Sequence, residues 1–304
     1  MEHEIYYISP LTDFGFKKIF GDPVIMKRFL EVLFKSQNVK MEIQDLSYIP
    51  QEADGNYKEN RRVVYDVHCV TDRGEEIIVE MQNDDQYYWD RRIMYYISRS
   101  TSMQGDKSLR DSIDKKEPWD YDIKRVVGIF IMNFLDENES SKVSRNCWMN
   151  PETRRITSNL QEFWKIQLPY YRKSKMRVED CKTELDYWLY NLTNMATMKT
   201  TMPFTEKDSA IKHLSDISYY FSMSYQEQQR YFHERDAEIT YNNMMNKKRD
   251  TFLAEGRAEG RAEGRAEGEK LKAIETAKKM KEKNMSIEDI IYVSGLTKEE
   301  IEAL

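Results

Sequence analysis

Two β-branched runs, RRVVYDVHCV at 61–70 and EEIIVEMQ at 75–82, stand on either side of the short stretch Thr71-Asp72-Arg73-Gly74. Such runs with a glycine-containing turn between them predict a β-hairpin. Gly74 suits the positive φ that a three-residue loop demands. Further on, KRVVGIFIMNF (124–134) is a nearly continuous apolar run, as expected of a strand buried on both faces.

The surrounding pattern reads largely as helices. Thr12 is a candidate cap for a helix with Phe16 and Phe20 on one face, and Asp22-Pro23 opens a second with Ile25, Phe29 and Leu33. Residues 42–50 read as a short strand, and 85–103 as an aromatic helix bearing Tyr87, Trp89, Ile93 and Tyr96. The polar stretch 105–120 reads as loop or frayed helix, and FWKIQLP (163–169) as another strand. Beyond it the chain reads as helices, punctuated at Pro203.

Composition narrows the function classes. Charged residues make up 33% of the 304 positions, which points to much exposed helix. The net charge of −6 argues against a broad basic surface, so any nucleic-acid contact must come from local patches. Cys69, Cys147 and Cys181 are far apart and show no CxxC spacing, which disfavours zinc and disulfides and fits a reducing cytoplasm. No run of 18 apolar residues exists, and the start MEHEIYYISP lacks an apolar signal core. His3, His68, His213 and His233 form no HExxH, and GxSxG, Walker A and GxGxxG patterns are absent. A zinc hydrolase, serine hydrolase, P-loop ATPase and Rossmann enzyme are therefore disfavoured.

The stretch AEGRAEGRAEGRAEG (254–268) repeats every four residues. Four residues turn about 400° on a helix, so each residue type forms a slowly drifting stripe. Glu then faces Glu and Arg faces Arg at i, i+4, and each glycine costs up to about 1 kcal/mol against alanine. An isolated helix is weak by this count. Pairing with a second copy, Glu stripe against Arg stripe, is the favoured reading, with a flexible tether as the other. Residues 285–304 hold two short helices with capping boxes at Ser286/Asp289 and Thr297/Glu300, and Gly295 closes the first. Such a hairpin serves packing or, less often, DNA reading.

Chemistry is concentrated on the predicted hairpin. Glu80 and Gln82 are two apart on one strand and point the same way. A loop centred on Arg73 sets Asp66 opposite Glu80, with Cβ atoms about 5 Å apart. Carboxylates this close repel unless a cation lies between them, and hard oxygen ligands suit Mg²⁺, with Mn²⁺ as an alternative. Asp66, Glu80 and the Met81 carbonyl are the expected ligands. Gln82 would orient a water, since an amide is no base near neutral pH. Lys17 offers positive charge, and Asp13 a further ligand or a water bridge. The bland alternative pairs the acids with Arg61, Arg62 or Arg91. The cluster RKSKMR (172–177) reads as a solvated helix face more readily than as a phosphate contact.

At these residues the chain resembles a known family, the Rpn recombination-promoting nucleases, also called PD-(D/E)XK nuclease family transposases. The resemblance runs through LTDFGFKKIFG (11–21), YDV (65–67), VEMQ (79–82), DRRIMYYISR (90–99), WDYDIKRVVGIFIMNF (119–134), QLPYYRK, LDYWLYNL and the AEGR repeats. It implies an α/β restriction-endonuclease-like core, a central mixed sheet flanked by helices, followed by a helical C-terminal region. The expected division is a nuclease-like domain over 1–170, a helical extension over 171–250, the repeat helix over 251–284 and the hairpin over 285–304. It also implies metal-dependent DNA cleavage, with Asp66, Glu80 and Gln82 on the motif and Asp13 and Lys17 on the opening segment. Gln82 stands where many relatives in the wider superfamily carry lysine, which leaves the general base open. Lys18, Arg91, Arg92 and Tyr96 are candidate DNA contacts. A homo-oligomer, with a dimer favoured for cutting two strands, is expected through the repeat. The competing class is a non-catalytic oligomeric DNA- or protein-binding module with a remnant site.

Overall fold

The computed structural model of the protein describes residues 6–41, 43–48, 52–53 and 63–304. Thr12 caps helix α1 (Asp13–Phe20) by accepting from the Gly15 amide, and Asp22 caps α2 (Pro23–Ser36) by accepting from Val24 and Ile25. Gly15 is obligatory here, because a Cβ would lie 2.0 Å from the Ser9 carbonyl oxygen. Strands β1 (Leu46–Tyr48), β2 (Glu52–Ala53), β3 (Val63–Val64), β4 (Val67–Thr71) and β5 (Glu76–Gln82) follow. Helix α3 (Trp89–Lys115) then crosses to β6 (Val126–Met132), which is followed by β7 (Val143–Met149) and β8 (Ile156–Gln167).

The main sheet has the order β1-β4-β5-β6-β8-β7, and β2 pairs with β3 separately. It is mixed: β5–β6 and β6–β8 are parallel, while β1–β4, β4–β5 and β7–β8 are antiparallel. All seven residues of β6 are buried, as its unbroken apolar run predicts. One face packs Ile78, Phe130 and Met132 against Trp89, Ile93 and Ile97 of α3. The other packs Ile77, Val79, Ile129 and Trp164 against α1, α2, α4 (Glu184–Asn194) and α5 (Ser209–Ser218). The hairpin register pairs Val67 with Val79 and His68 with Ile78, and Gly74 takes φ +81°.

One element decides between two expected readings, one was not foreseen and one departs from expectation. The polar stretch 105–115 continues α3, which ends at Lys116 in the left-handed region. Its outer turns have few apolar residues, so periodicity fails, while Asp106/Arg110 and Asp111/Lys115 stand at stabilising i, i+4 spacing. Strand β7, VSRNCWM, is an edge strand of largely polar sequence with no alternation to read. The RKSKMR cluster lies in a turn, not on a helix: Arg172 donates to the Asn133 carbonyl and Arg177 to Asp180.

The chain divides into two compact units, Met1–Asp236 and Ala237–Leu304. Helix α6 (Tyr225–Glu282) is 58 residues long and carries the repeat. A Cβ added at Gly256, Gly260, Gly264 or Gly268 would meet nothing within 4 Å. In the second unit α7 (Ile287–Ser294) and α8 (Lys298–Glu302) start at Ser286 and Thr297, and Gly295 (φ +70°) closes α7. Ile290, Leu296 and Ile301 bury against Ala277. Among the described residues no helix is long and apolar enough to cross a membrane.

Candidate active site

The even-numbered residues of β5 face α3, and Glu80 and Gln82 among them are buried. The hairpin register, extended one step past Val67–Val79, brings Asp66 beside Glu80. The two acids are laced through backbone amides. Asp66 N–H donates to Glu80 Oε1 at 3.0 Å, and Met81 N–H donates to Asp66 Oδ2 at 2.9 Å. Glu80 is only 2% exposed. Burial, and then the neighbouring Asp66 carboxylate, push the Glu80 carboxyl well above the usual glutamate range. Burial also raises Asp66, opposed by the Met81 amide and by the positive charges of Lys17 and Arg92.

Gln82 is held at both ends of its amide: Nε2 donates to the Asp84 carbonyl at 2.9 Å, and Oε1 accepts from Arg92 Nη1 at 3.1 Å. Arg92 also donates from Nε and Nη2 to the Tyr96 hydroxyl, at 3.2 and 3.0 Å, and its Nη2 lies 3.8 Å from Glu80 Oε2. Arg92 and Tyr96, both expected at the phosphate backbone, thus converge on the acids from α3. Arg91 instead is exposed and lines a neighbouring 520 Å³ cleft with Tyr87, Tyr88 and Asp90. Arg61 and Arg62 lie outside the described residues.

Helix α1 reaches the same site. Asn83 Nδ2 donates to the Leu11 carbonyl, tying the end of β5 to the start of α1. Lys17 and Asp13 form an ion pair at 2.6 Å, and Lys17 favours the charged forms of both Asp66 and Glu80. Lys18 turns away to Glu227 at 2.6 Å. Two contributors escape sequence reasoning. The first turns of α6 supply Glu234, whose Oε2 accepts from the Phe14 amide at 2.7 Å, and Arg230, 3.7 Å from Asp13. Lys165 of β8 is buried in the cross-sheet row of Glu80 and Phe130, and holds Asp90 and Asp136 at 2.7 Å each. No local pattern marks either, because their partners are far away in the chain.

Among the described residues no group of three or more His, Cys, Asp or Glu side chains is arranged so that it could hold a metal ion. Two carboxylates with backbone and water oxygens still suit a hard cation that keeps several waters, as Mg²⁺ does. The observation that fits such an ion is the like-charged pair itself: the buried Glu80 carboxylate is raised by the nearby Asp66, and an intervening cation would relieve both.

A family model described as PD-(D/E)XK nuclease family transposase matches residues 10–248. No curated protein matches the chain, and no solved structure matches it either.

Proposed function

The chain belongs to the PD-(D/E)XK nuclease family transposases, and on that premise we propose that it is a Mg²⁺-dependent DNA endonuclease working at Asp66, Glu80 and Gln82. The observation that carries this is the Asp66–Glu80 pair, Glu80 buried and Asp66 half-buried, joined through the Asp66 and Met81 amides at 3.0 and 2.9 Å. A fold gains no stability from setting a second acid beside a buried one, so their juxtaposition supports a functional demand.

Asp66 and Glu80, with the Met81 carbonyl, would hold the cation. When bound, the ion supplies Lewis acidity toward a phosphoryl oxygen and an acidified water. The backbone amides of Asp66 and Met81 fix the carboxylate rotamers in advance, so little reorganisation is left for the reaction. Gln82, clamped between Asp84 and Arg92, orients polar groups beside the acids and accepts no proton. Lys17 adds positive charge on the α1 side. In the reaction a water oxygen forms a bond to phosphorus and the bond to one ester oxygen breaks. The water proton lost to solvent is matched by one gained at the leaving oxygen, giving a phosphomonoester and a hydroxyl. Recombination, mobile-element movement and defence against foreign DNA are all uses of such a reaction. Three free, well-separated thiols support work in the cytoplasm. A second copy is the proposed partner of the exposed repeat on α6, and reversing Arg257, Arg261 and Arg265 to Glu should lower the particle mass in sedimentation.

The decisive assay incubates supercoiled plasmid with the protein in Mg²⁺ and in EDTA, beside Asp66→Ala and Glu80→Ala. Cleavage that requires Mg²⁺ and falls by at least about 10³-fold in both variants is the expected outcome. Undiminished cleavage in the variants would move the site elsewhere. Inactivity of folded wild type with every divalent metal would leave a binding module.

A further inference from the structure

We propose that Arg92 is the catalytic cation of this site, contacting the scissile phosphate, with Gln82 as the residue that positions it; the assignment rests on the nuclease reading above.

The basis is a difference among the cations around the site. Lys17 closes on Asp13 at 2.6 Å, Lys18 on Glu227 at 2.6 Å, and Lys165 on Asp90 and Asp136 at 2.7 Å. Each is neutralised at contact range by a carboxylate. Arg92 is built otherwise. Its three hydrogen bonds go to neutral oxygens, the Gln82 amide and the Tyr96 hydroxyl, and its closest carboxylate oxygen among the described residues, Glu80 Oε2, is 3.8 Å away. A guanidinium has five N–H groups, so one on each Nη remains for a further acceptor. The side chain is 30% exposed, which lets an incoming phosphate reach it. The rings of Trp89 and Tyr96, 5.7 and 5.1 Å from Cζ, pack beside the guanidinium and help hold its orientation.

Charge counting explains why the site needs it. The strand residues supply two carboxylates and a neutral amide, whereas the transition state of phosphodiester cleavage adds negative charge on phosphoryl oxygens. A fixed cation aimed at that charge is worth most where water is excluded. Gln82 meets this need indirectly: with Nε2 fastened to Asp84, its oxygen points at Arg92 and fixes one arm of the fork. An ammonium placed at position 82 would deliver its charge within a few ångströms of the same point.

The test is a charge relocation, run on the full chain with Mg²⁺ and supercoiled plasmid, comparing wild type, R92M, R92K, Q82K and the double variant Q82K/R92M. R92M should lower kcat about 10²–10³-fold with KM nearly unchanged. R92K should recover part of the rate. Q82K/R92M should exceed R92M at least about tenfold, because the charge returns from the strand. DNA affinity in EDTA, read by fluorescence anisotropy, should change less than about threefold, the loss of a single phosphate contact. A folded R92M, checked by thermal melting, that keeps a third or more of the wild-type rate would overturn the assignment. So would a folded double variant no faster than R92M. Inactive wild type would instead overturn the nuclease reading, and this assignment with it.

Discussion

Glu80 and Glu162 make an internal control. Both are glutamates on central strands of one sheet, 2% and 1% exposed, yet their surroundings drive them in opposite directions. Glu162 receives Arg125 Nη2 at 2.6 Å, Arg145 Nη2 at 2.7 Å and the Trp164 indole N–H at 3.1 Å. Burial alone would raise its carboxyl, but the hydrogen bonds from Arg125 and Arg145 outweigh that and hold it below the usual range. Glu80 has burial, a second carboxylate and one guanidinium at 3.8 Å, and it is pushed up. Burial is shared, so it does not distinguish a structural acid from a functional one. Close pairing does: the first is a completed ion cluster, the second a like-charged pair whose nearest guanidinium in the described structure stands off at 3.8 Å.

The largest effect that could break this contrast is on stability. Glu162→Gln leaves two arginines facing a neutral amide in a dry site, and breaking a buried ion cluster costs about 3–5 kcal/mol. Urea denaturation should show that loss, while the fraction that stays folded keeps its cleavage rate. Glu80→Gln should do the reverse. It removes a like-charged contact, so the metal-free protein should gain about 1 kcal/mol near neutral pH and lose cleavage entirely. Destabilisation of comparable size in both variants would mean that Glu80 is an ordinary structural acid.

A smaller effect separates the two by pH. The folded pKa of Glu80 is raised, so folding favours its protonated form. That contribution is fully present below the unfolded value of 4.5 and is lost as pH climbs from there through the elevated folded pKa. Glu162 is lowered, so its contribution is present above 4.5 and is lost as pH falls through its folded pKa. In EDTA, wild type should therefore lose stability on the alkaline side of 4.5, and Glu80→Gln should flatten that limb alone. An unchanged slope in Glu80→Gln would assign the effect to another group.

The two acids also differ in how legible they were. Asp66, Glu80 and Gln82 could be read because a strand alternates sides every residue and Gly74 marks the loop, so two short runs determine their own register. Helix α1 was legible for the same kind of reason, with Thr12 capping and Phe16 and Phe20 four apart on one buried face. Glu162 was not. Its partners are Arg125, just ahead of β6, and Arg145 on β7, and β7 has no apolar alternation to announce itself. Arg230 and Glu234 meet α1 from more than 200 residues away. Position 92 was visible as a basic residue near the motif. Its engagement with the Gln82 amide depends on how α3 packs on β5, which no local spacing encodes.

The smallest effect tests whether burial or pairing sets the energy. Lys18 and Glu227 pair at 2.6 Å, closer than Arg145 to Glu162, but their side chains are 23% and 37% exposed. Hydrogen bonds from Lys18, and then from Ser224, hold the Glu227 carboxyl down at about 2. A depressed pKa contributes stability above the unfolded value of 4.5 that is lost as pH falls through about 2. Water and salt screen this pair, so its worth is far below what the shift alone suggests. Lys18→Met should change unfolding free energy by less than about 1 kcal/mol, and NMR titration should move Glu227 back toward 4.5. A loss as large as that of Glu162→Gln would make contact distance, not exclusion of water, the quantity that separates the strong carboxylates of this protein from the weak ones. A small loss would leave desolvation as the reason that Glu162 holds the sheet together and that Glu80, equally dry and set beside a second carboxylate, is fit to receive a cation.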